Sequence, residues 1–502
     1  MRPNPARAYL RSHRGRPVTW SDRYALVFGL ALAVAVFGHP VATAVHGLTA
    51  GLDASRLGAG LALVVAAYAG YLALARFLGP VALPAADAAW LVMSPLPRRS
   101  VLGRTVMVLL AIAVVIGAGL GLAALSVLGA PDGLVLRLTA ALVLGTGAGV
   151  GGMAMAVLAQ ASASWDSWLQ VVIAGTLVAA VVVAVLGSGP GRQVLTAVAG
   201  APVAVVSAVA GLGVTVAAVL VRQAWGALAR IPARRLLSSA ARTGRVTSAA
   251  VTMDPGALTW AIEDDHWRGR APGSRPWPRI AARSGAAAVA WQEWRRAGRR
   301  PGRLVVLSGA AALPAVAARA AGDMSVLSIG VLLCGALAAA VMCTSGVRRD
   351  SDNPFLARLL AVDGRSLTAV RALLPALLAA LWSALALAGL MLTGVLPPGP
   401  WWLLGVAAAP ALAAAALRMA RRPPVDHSLP VIVTPFGALP AGPVIWGLTG
   451  VDLAFLGCLP TLAALLEPPM TLTPFVLAQL LTGAGVLTAF LLRQGGHRRS
   501  PS

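Results

Sequence analysis

Side chains able to do chemistry are scarce in this chain, so the few that cluster stand out. Glu263, Asp264, Asp265 and His266, in "MDPGALTWAIEDDHW", bring three carboxylates and an imidazole together in four residues. Consecutive residues do not share a helical face, whereas metal ligands must converge on one point, so a solvated turn among nearby arginines is the stronger reading. Just upstream, Asp254 followed by Pro255 has the form of a helix N-cap and first helical position. Asp452, in "GLTGVDLAFLGC", is the clearest carboxylate inside an apolar run. At mid-bilayer it would cost about 3 kcal/mol, which marks it as a functional candidate. Of equal weight is the reading that it caps a helix broken at glycine, or that the span begins after it. Cys334, Cys343 and Cys458 lie in or beside apolar runs with no C-x-x-C spacing, which argues against disulfides and thiolate metal sites. No H-E-x-x-H, G-x-S-x-G or paired histidine occurs, and all 41 basic residues are Arg, which rules out a phosphate-binding loop with its Lys. Enzyme chemistry, and a cofactor or metal site in this chain, are not expected.

What must position these few groups is apolar. Of 502 residues 58% are hydrophobic and 12% charged, with a mean hydropathy of +0.79, the balance of a polytopic membrane protein. The net charge of +24 would suit a nucleic-acid binder, but the arginines stand between apolar runs and not on one soluble face. They read instead as the positive-inside signal, so no nucleic-acid partner is expected. The first 23 residues carry six Arg ahead of a long apolar run without an A-x-A-like cleavage site, which predicts a retained first span.

A crossing helix needs about 20 apolar residues. Runs of that kind lie at 24–47, 56–79, 105–129, 134–160, 166–187 and 194–222, then at 303–321, 324–343, 368–395, 400–417, 440–465 and 473–493. The expected fold is therefore an all-α transmembrane helical bundle of about 12 spans. With the N-terminus inside, only Arg56, Arg137, Arg192 and Arg319 fall on the outer side, which predicts a multi-pass protein of the bacterial plasma membrane with both termini cytoplasmic. The sixth run is long for one crossing; a short re-entrant piece ahead of it, or a tilted helix, would explain this.

Residues 223–302 divide the two sets of six, and sixteen Arg lie from Arg222 to Arg303. The expected organisation is thus a first membrane half at 1–222, a cytoplasmic linker at 223–302 and a second half at 303–502. An internal duplication is visible where "DAAWLVMSPLPRRSVLGRTV" follows the second span and "DNPFLARLLAVDGRSLTAVR" the eighth. Asp87 aligns with Asp352, Trp90 with Phe355, and Arg99 with Arg365 after a one-residue slip. Six spans per half make the repeats parallel. Ahead of the seventh span, "AVAWQEWRRAGRRPGRL" sets Trp291 and Trp294 three apart with Arg295 and Arg296 beside them, the pattern of a helix lying in the membrane interface.

A plain hydrophilic connector is the competing reading of residues 80–104. Against it, Asp87 to Ser94 can form a short helix presenting Trp90, Pro95 and Pro97 must end it, and an exposed Trp at a membrane surface suits a docking partner. With the basic helix before a span, six spans per half and the "SPLPRR" loop, the chain resembles the permease subunits of type 2 ABC exporters. In that family the loop is a coupling helix that enters a groove of the ATPase subunit. The resemblance implies a first coupling element of Asp87, Trp90, Pro95, Leu96, Pro97, Arg98 and Arg99, and a second of Asp352, Phe355, Asp363 and Arg365. It implies ABC ATPase subunits as partners, with ATP bound by them, and export of a substrate that cannot be read. The second loop lacks the Pro-Leu-Pro, and such permeases usually carry six spans and dimerise, so this chain would be a fused pair with one degenerate half. A proton-coupled carrier of the major facilitator type, also of twelve spans, is disfavoured by the missing G-x-x-x-D-R-x-G-R turn and the shortage of intramembrane acids. A non-transporting scaffold that recruits a soluble partner or anionic membrane lipids through its Arg-rich segment is the third reading.

Overall fold

The structure, a computed structural model, describes residues 54–82, 88, 98–130, 132–189, 191–251, 285–299, 301–353, 355, 362–423, 425–426, 428, 431–434 and 437–496. The predicted first span at 24–47, most of the loop at 83–97 and the acidic run at 263–266 lie outside them. The chain forms two compact units, 1–244 and 245–502.

In the first unit the helices are α1 (Ala54–Leu78), α2 (Arg98–Leu128), α3 (Leu134–Ala161), α4 (Ala163–Ser188), α5 (Arg192–Ala199), α6 (Val203–Ala227) and α7 (Ala233–Val251), the last running past the unit boundary. Glycine sets the packing of α2 on α3. A Cβ on Gly145 would run into the backbone of Gly117 and Gly121, and one on Gly149 into Ala113 and Gly117. Lipid tails are as apolar as leucine, so such helices associate through close backbone approach and not through expulsion of water. α3 lies between α2 and α6, while α1 packs along α4. Val115 of α2, Val181 of α4 and Leu212 of α6 are left exposed, as a lipid-facing surface requires.

The second unit contains α8 (Ala286–Gly298), α9 (Pro301–Ala310), α10 (Leu313–Ala321), α11 (Val326–Val341), α12 (Ser345–Asp352), α13 (Gly364–Leu392), α14 (Trp402–Ala420), β1 (Val431–Thr434), β2 (Gly437–Pro440), α15 (Ala441–Leu448), α16 (Val451–Gly457), α17 (Leu459–Leu466) and α18 (Thr473–Gly496). Asp363 caps α13 by accepting from the Arg365 and Ser366 amides at 3.0 and 3.3 Å. Gly322, at φ 92°, closes α10 in the left-handed region that glycine enters without strain. The Ala-rich α14 is the central helix, buried on all sides from Ala411 to Leu417. It packs against α13 and α18, and Gly405 lets its backbone approach Ser383 and Ala384 of α13.

Among the described residues nine helices are long and apolar enough to cross a membrane, or ten if α11 and α12, which meet at 59°, form one broken crossing. The run at 440–465 departs from the expected single helix: it is α15, α16 and α17, with breaks at Thr449–Gly450 and Cys458. Gly450 has φ 95°, outside the helical region, and its lack of a Cβ lets it lie against Met419 and Ala415. The long run at 194–222 is likewise divided, into α5 and α6. Beside the expected helices stands one short antiparallel ribbon, in which Val431 pairs with Pro440 and Thr434 with Gly437. Its first strand is four β-branched residues in succession, which favour an extended backbone. The segment 223–302 touches both units. α6 extends into it, the first turns of α7 pack into the first unit, and α8 belongs to the second.

Candidate functional site

Each unit gathers charged side chains at one end of its helices, called here its basic end. In the first unit Arg76, in the last turn of α1, makes a two-pronged pair with Asp166 in the first turn of α4, at 2.7 and 2.9 Å. Gln160, at the end of α3, exchanges two 3.0 Å hydrogen bonds with the backbone of Val81. Ser239 of α7 donates to the same Val81 carbonyl, and Arg235 of α7 donates to the carbonyls of Ala159 and Gln160. The segment entering the 83–97 loop is therefore fastened to α3 and α7. Its far side is fastened as well: Arg98 donates to the Ile231 carbonyl and Arg99 reaches the Gly226 carbonyl at 3.4 Å. These two arginines, expected to meet a partner, are engaged with backbone carbonyls at the end of α6 and the 3₁₀ turn after it. Ala88, inside the loop, is buried with Val81 and Leu236. Asp87, Trp90, Pro95, Leu96 and Pro97 lie outside the described residues.

At the basic end of the second unit, Arg371, 9% exposed in the second turn of α13, pairs with Glu293 of α8 and with Asp350 of α12, the latter at 2.9 Å. Gly346 in α12 leaves room for this network, since a Cβ there would strike the Arg371 guanidinium and the Glu293 carboxylate. Glu293 is 7% exposed and stands four residues from buried Val289, so both lie on the inner face of α8. Trp291 and Trp294 are exposed, as an interfacial helix requires, and Arg295 and Arg296 are half-buried. Beyond α12 the second loop presents Phe355, 67% exposed, next to exposed Asp352, which faces Arg348 at 3.9 Å. Of the remaining residues in that loop, Asp363 serves as the cap of α13 and Arg365 is exposed.

Asp452 stands in the first turn of α16. It accepts from the Gly450 amide at 2.7 Å and pairs with Arg418, in the last turn of α14, at 2.9 Å. It thus caps a glycine break near the basic end. Next to it Arg421 donates to Thr368 and Arg422 to the Thr449 carbonyl. Burial holds the Arg421 guanidinium below the usual arginine range. At the opposite ends of the units, Arg137 binds Asp132 and the carbonyls of Ala199 and Ala201, Arg192 the Gly187 carbonyl, and Arg319 the Thr393 carbonyl.

No group of three or more His, Cys, Asp or Glu side chains able to hold a metal occurs among the described residues. The charged side chains described at the basic ends are held in ion pairs and in hydrogen bonds to backbone carbonyls. The residues that sequence reasoning missed are Arg371, Glu293 and Asp350. The signal for them was present: an arginine just inside the 368–395 run demands a partner, and Glu293 is the one acid in an Arg-rich amphipathic helix. The chain belongs to a family of unknown function, DUF6297, which matches residues 52–430, from α1 to the segment before β1. No curated protein and no solved structure matches it.

Proposed function

We propose that this member of the DUF6297 family is the permease subunit of an ABC-type exporter in the bacterial plasma membrane, with both termini and both basic ends cytoplasmic. Separate ATPase subunits bind ATP and drive the translocation path formed by the helices. The observation that supports this reading is the mounting of the second loop. α12 leaves α11 at 59° and is tied through Asp350 and Arg371 to α8, while Phe355 beyond it stays exposed beside Asp352. An apolar side chain offered to solvent from a braced support is what a partner's groove can grip. Arg98 and Arg99 brace the far end of the first loop, leaving the gripping role there to Trp90.

A proton-coupled carrier is less well supported. In the nine candidate crossing helices Asp166 is the sole carboxylate, and it stands in a first turn, paired with Arg76. The test is co-expression with the ABC ATPase subunits of the same cell, followed by tag purification of the chain and an ATPase assay in vesicles. A complex whose ATPase rate is stimulated is expected. Trp90→Ala, and more mildly Phe355→Ala, should weaken it, with about 2 kcal/mol for a central aromatic anchor, close to thirty-fold in affinity. Recovery of the folded chain without any ATPase, or indifference of the complex to both substitutions, would refute the coupling role.

A further inference from the structure

In the second unit, the end of α14, the α15–α16 junction and the last turns of α18 enclose a cleft of about 540 Å3 lined by Arg418, Arg421, Arg422 and Arg493. Leu453, Val486 and Phe490 form its apolar wall. Of these arginines, Arg418 is paired with Asp452 at 2.9 Å, and Asp350 acts on Arg421 electrostatically. We propose that this cleft binds a phosphate group, carried by the headgroup of an anionic phospholipid or by a soluble phosphate compound.

Three features support the assignment. First, the arginines are pre-set. Arg422 stacks on Trp446 at 4.6 Å and donates to the Thr449 carbonyl at 2.7 Å; Arg421 lies 5.9 Å from the Phe490 ring and donates to Thr368 at 2.8 Å. Planar, always-charged forks held in place match the oxygens of phosphate and lose little freedom on binding it. Second, Arg493, exposed in the last turns of α18, makes no hydrogen bond or ion pair among the described residues, so its donors remain available to an anion. Third, the volume exceeds what a bare phosphate fills, and the apolar wall suits the carbon skeleton next to it. Basic pockets between membrane helices hold lipid headgroups by this combination of charge and shape.

The experiment uses the full chain purified in detergent. Native mass spectrometry compares retention of phosphatidylglycerol with phosphatidylcholine, and thermal melting compares sodium phosphate with sodium chloride at equal ionic strength. Variants are Arg493→Gln, on an exposed position that should not disturb folding, Arg421→Gln, and Arg230→Gln in the other unit as a measure of unspecific attraction. Preferential retention of phosphatidylglycerol, weakened about five-fold by Arg493→Gln and left intact by Arg230→Gln, identifies a lipid source, one arginine near a membrane surface being worth a factor of that size. Stabilisation by phosphate that disappears in Arg493→Gln, without preference between the lipids, identifies a soluble source. If neither lipid preference nor phosphate stabilisation responds to Arg493→Gln and Arg421→Gln more than to Arg230→Gln, the cleft is not a phosphate site.

Discussion

Arg371 shows how a single charge in an apolar run constrains its surroundings. It meets Glu293 and Asp350 from two other helices, and Gly346 is small because the guanidinium occupies the space a side chain would need. Arg371→Leu leaves two carboxylates facing each other without their cation, and breaking a buried pair in this way costs about 3–5 kcal/mol. We expect a clear drop in the melting temperature of the purified protein, partly restored in the Arg371→Leu, Glu293→Leu double variant. A melting curve unchanged by Arg371→Leu would mean that the network adds nothing to stability. At this scale the amphipathic pattern of the 286–298 segment was legible, for it forms α8 with Trp291 and Trp294 exposed. The sequence was less legible for charges with two uses. Asp363 and Asp452 cap helices, and Arg98 and Arg99 bind carbonyls, because a polar side chain near a helix end satisfies the nearest orphan backbone group before it serves a distant partner.

Among the elements, small residues decide which helices touch. Gly117 and Gly119 are two apart on α2, yet a Cβ at Gly117 would meet the α3 backbone at Gly145 and Thr146 while one at Gly119 meets nothing within 4 Å. Gly117→Leu should therefore destabilise the first unit by about 1–3 kcal/mol through overpacking, and Gly119→Leu should leave it near the parent value. Chemical unfolding of the two variants in the same detergent makes the comparison, and equal stabilities would contradict the packing described. In the second unit Gln479 of α18 accepts from the amide and hydroxyl of Thr461 and donates to the Gly457 carbonyl, spanning the break between α16 and α17. Gln479→Leu leaves these groups unsatisfied at about 1–3 kcal/mol each, so the same assay should show a loss and tryptic cleavage near the break should quicken. Hydropathy located long helices such as α3, α13 and α14 within a few residues. The division at 440–465 escaped it, because a window average is the same for one helix as for three short ones joined at glycine and cysteine.

Over the whole molecule, the arginine asymmetry makes a prediction independent of any site. In a background without Cys334, Cys343 and Cys458, single cysteines at Ala50 and Pro469 should react with an impermeant reagent from outside. Those at Leu96, Arg270 and Ala361 should react only after permeabilisation. Outside labelling at position 270 would overturn the orientation and the twelve-span count. The membrane class was legible from composition alone, whereas the 6+6 arrangement rests on the runs and on the paired loops. Three of the four arginines assigned to the outer side are bound to backbone carbonyls, which accounts for their presence against the general bias. One of them has a mechanical consequence. Arg137 rivets the first turn of α3 to Asp132 and to the carbonyls of Ala199 and Ala201, and Gln160 and Arg235 clamp its last turn to Val81 and α7. Anchored top and bottom, α3 cannot slide along its own axis like a piston. If the chain is the permease proposed above, its working stroke in the first unit is a sideways roll of the neighbours of α3 over the glycine track on its flank, with α3 as the fixed axle.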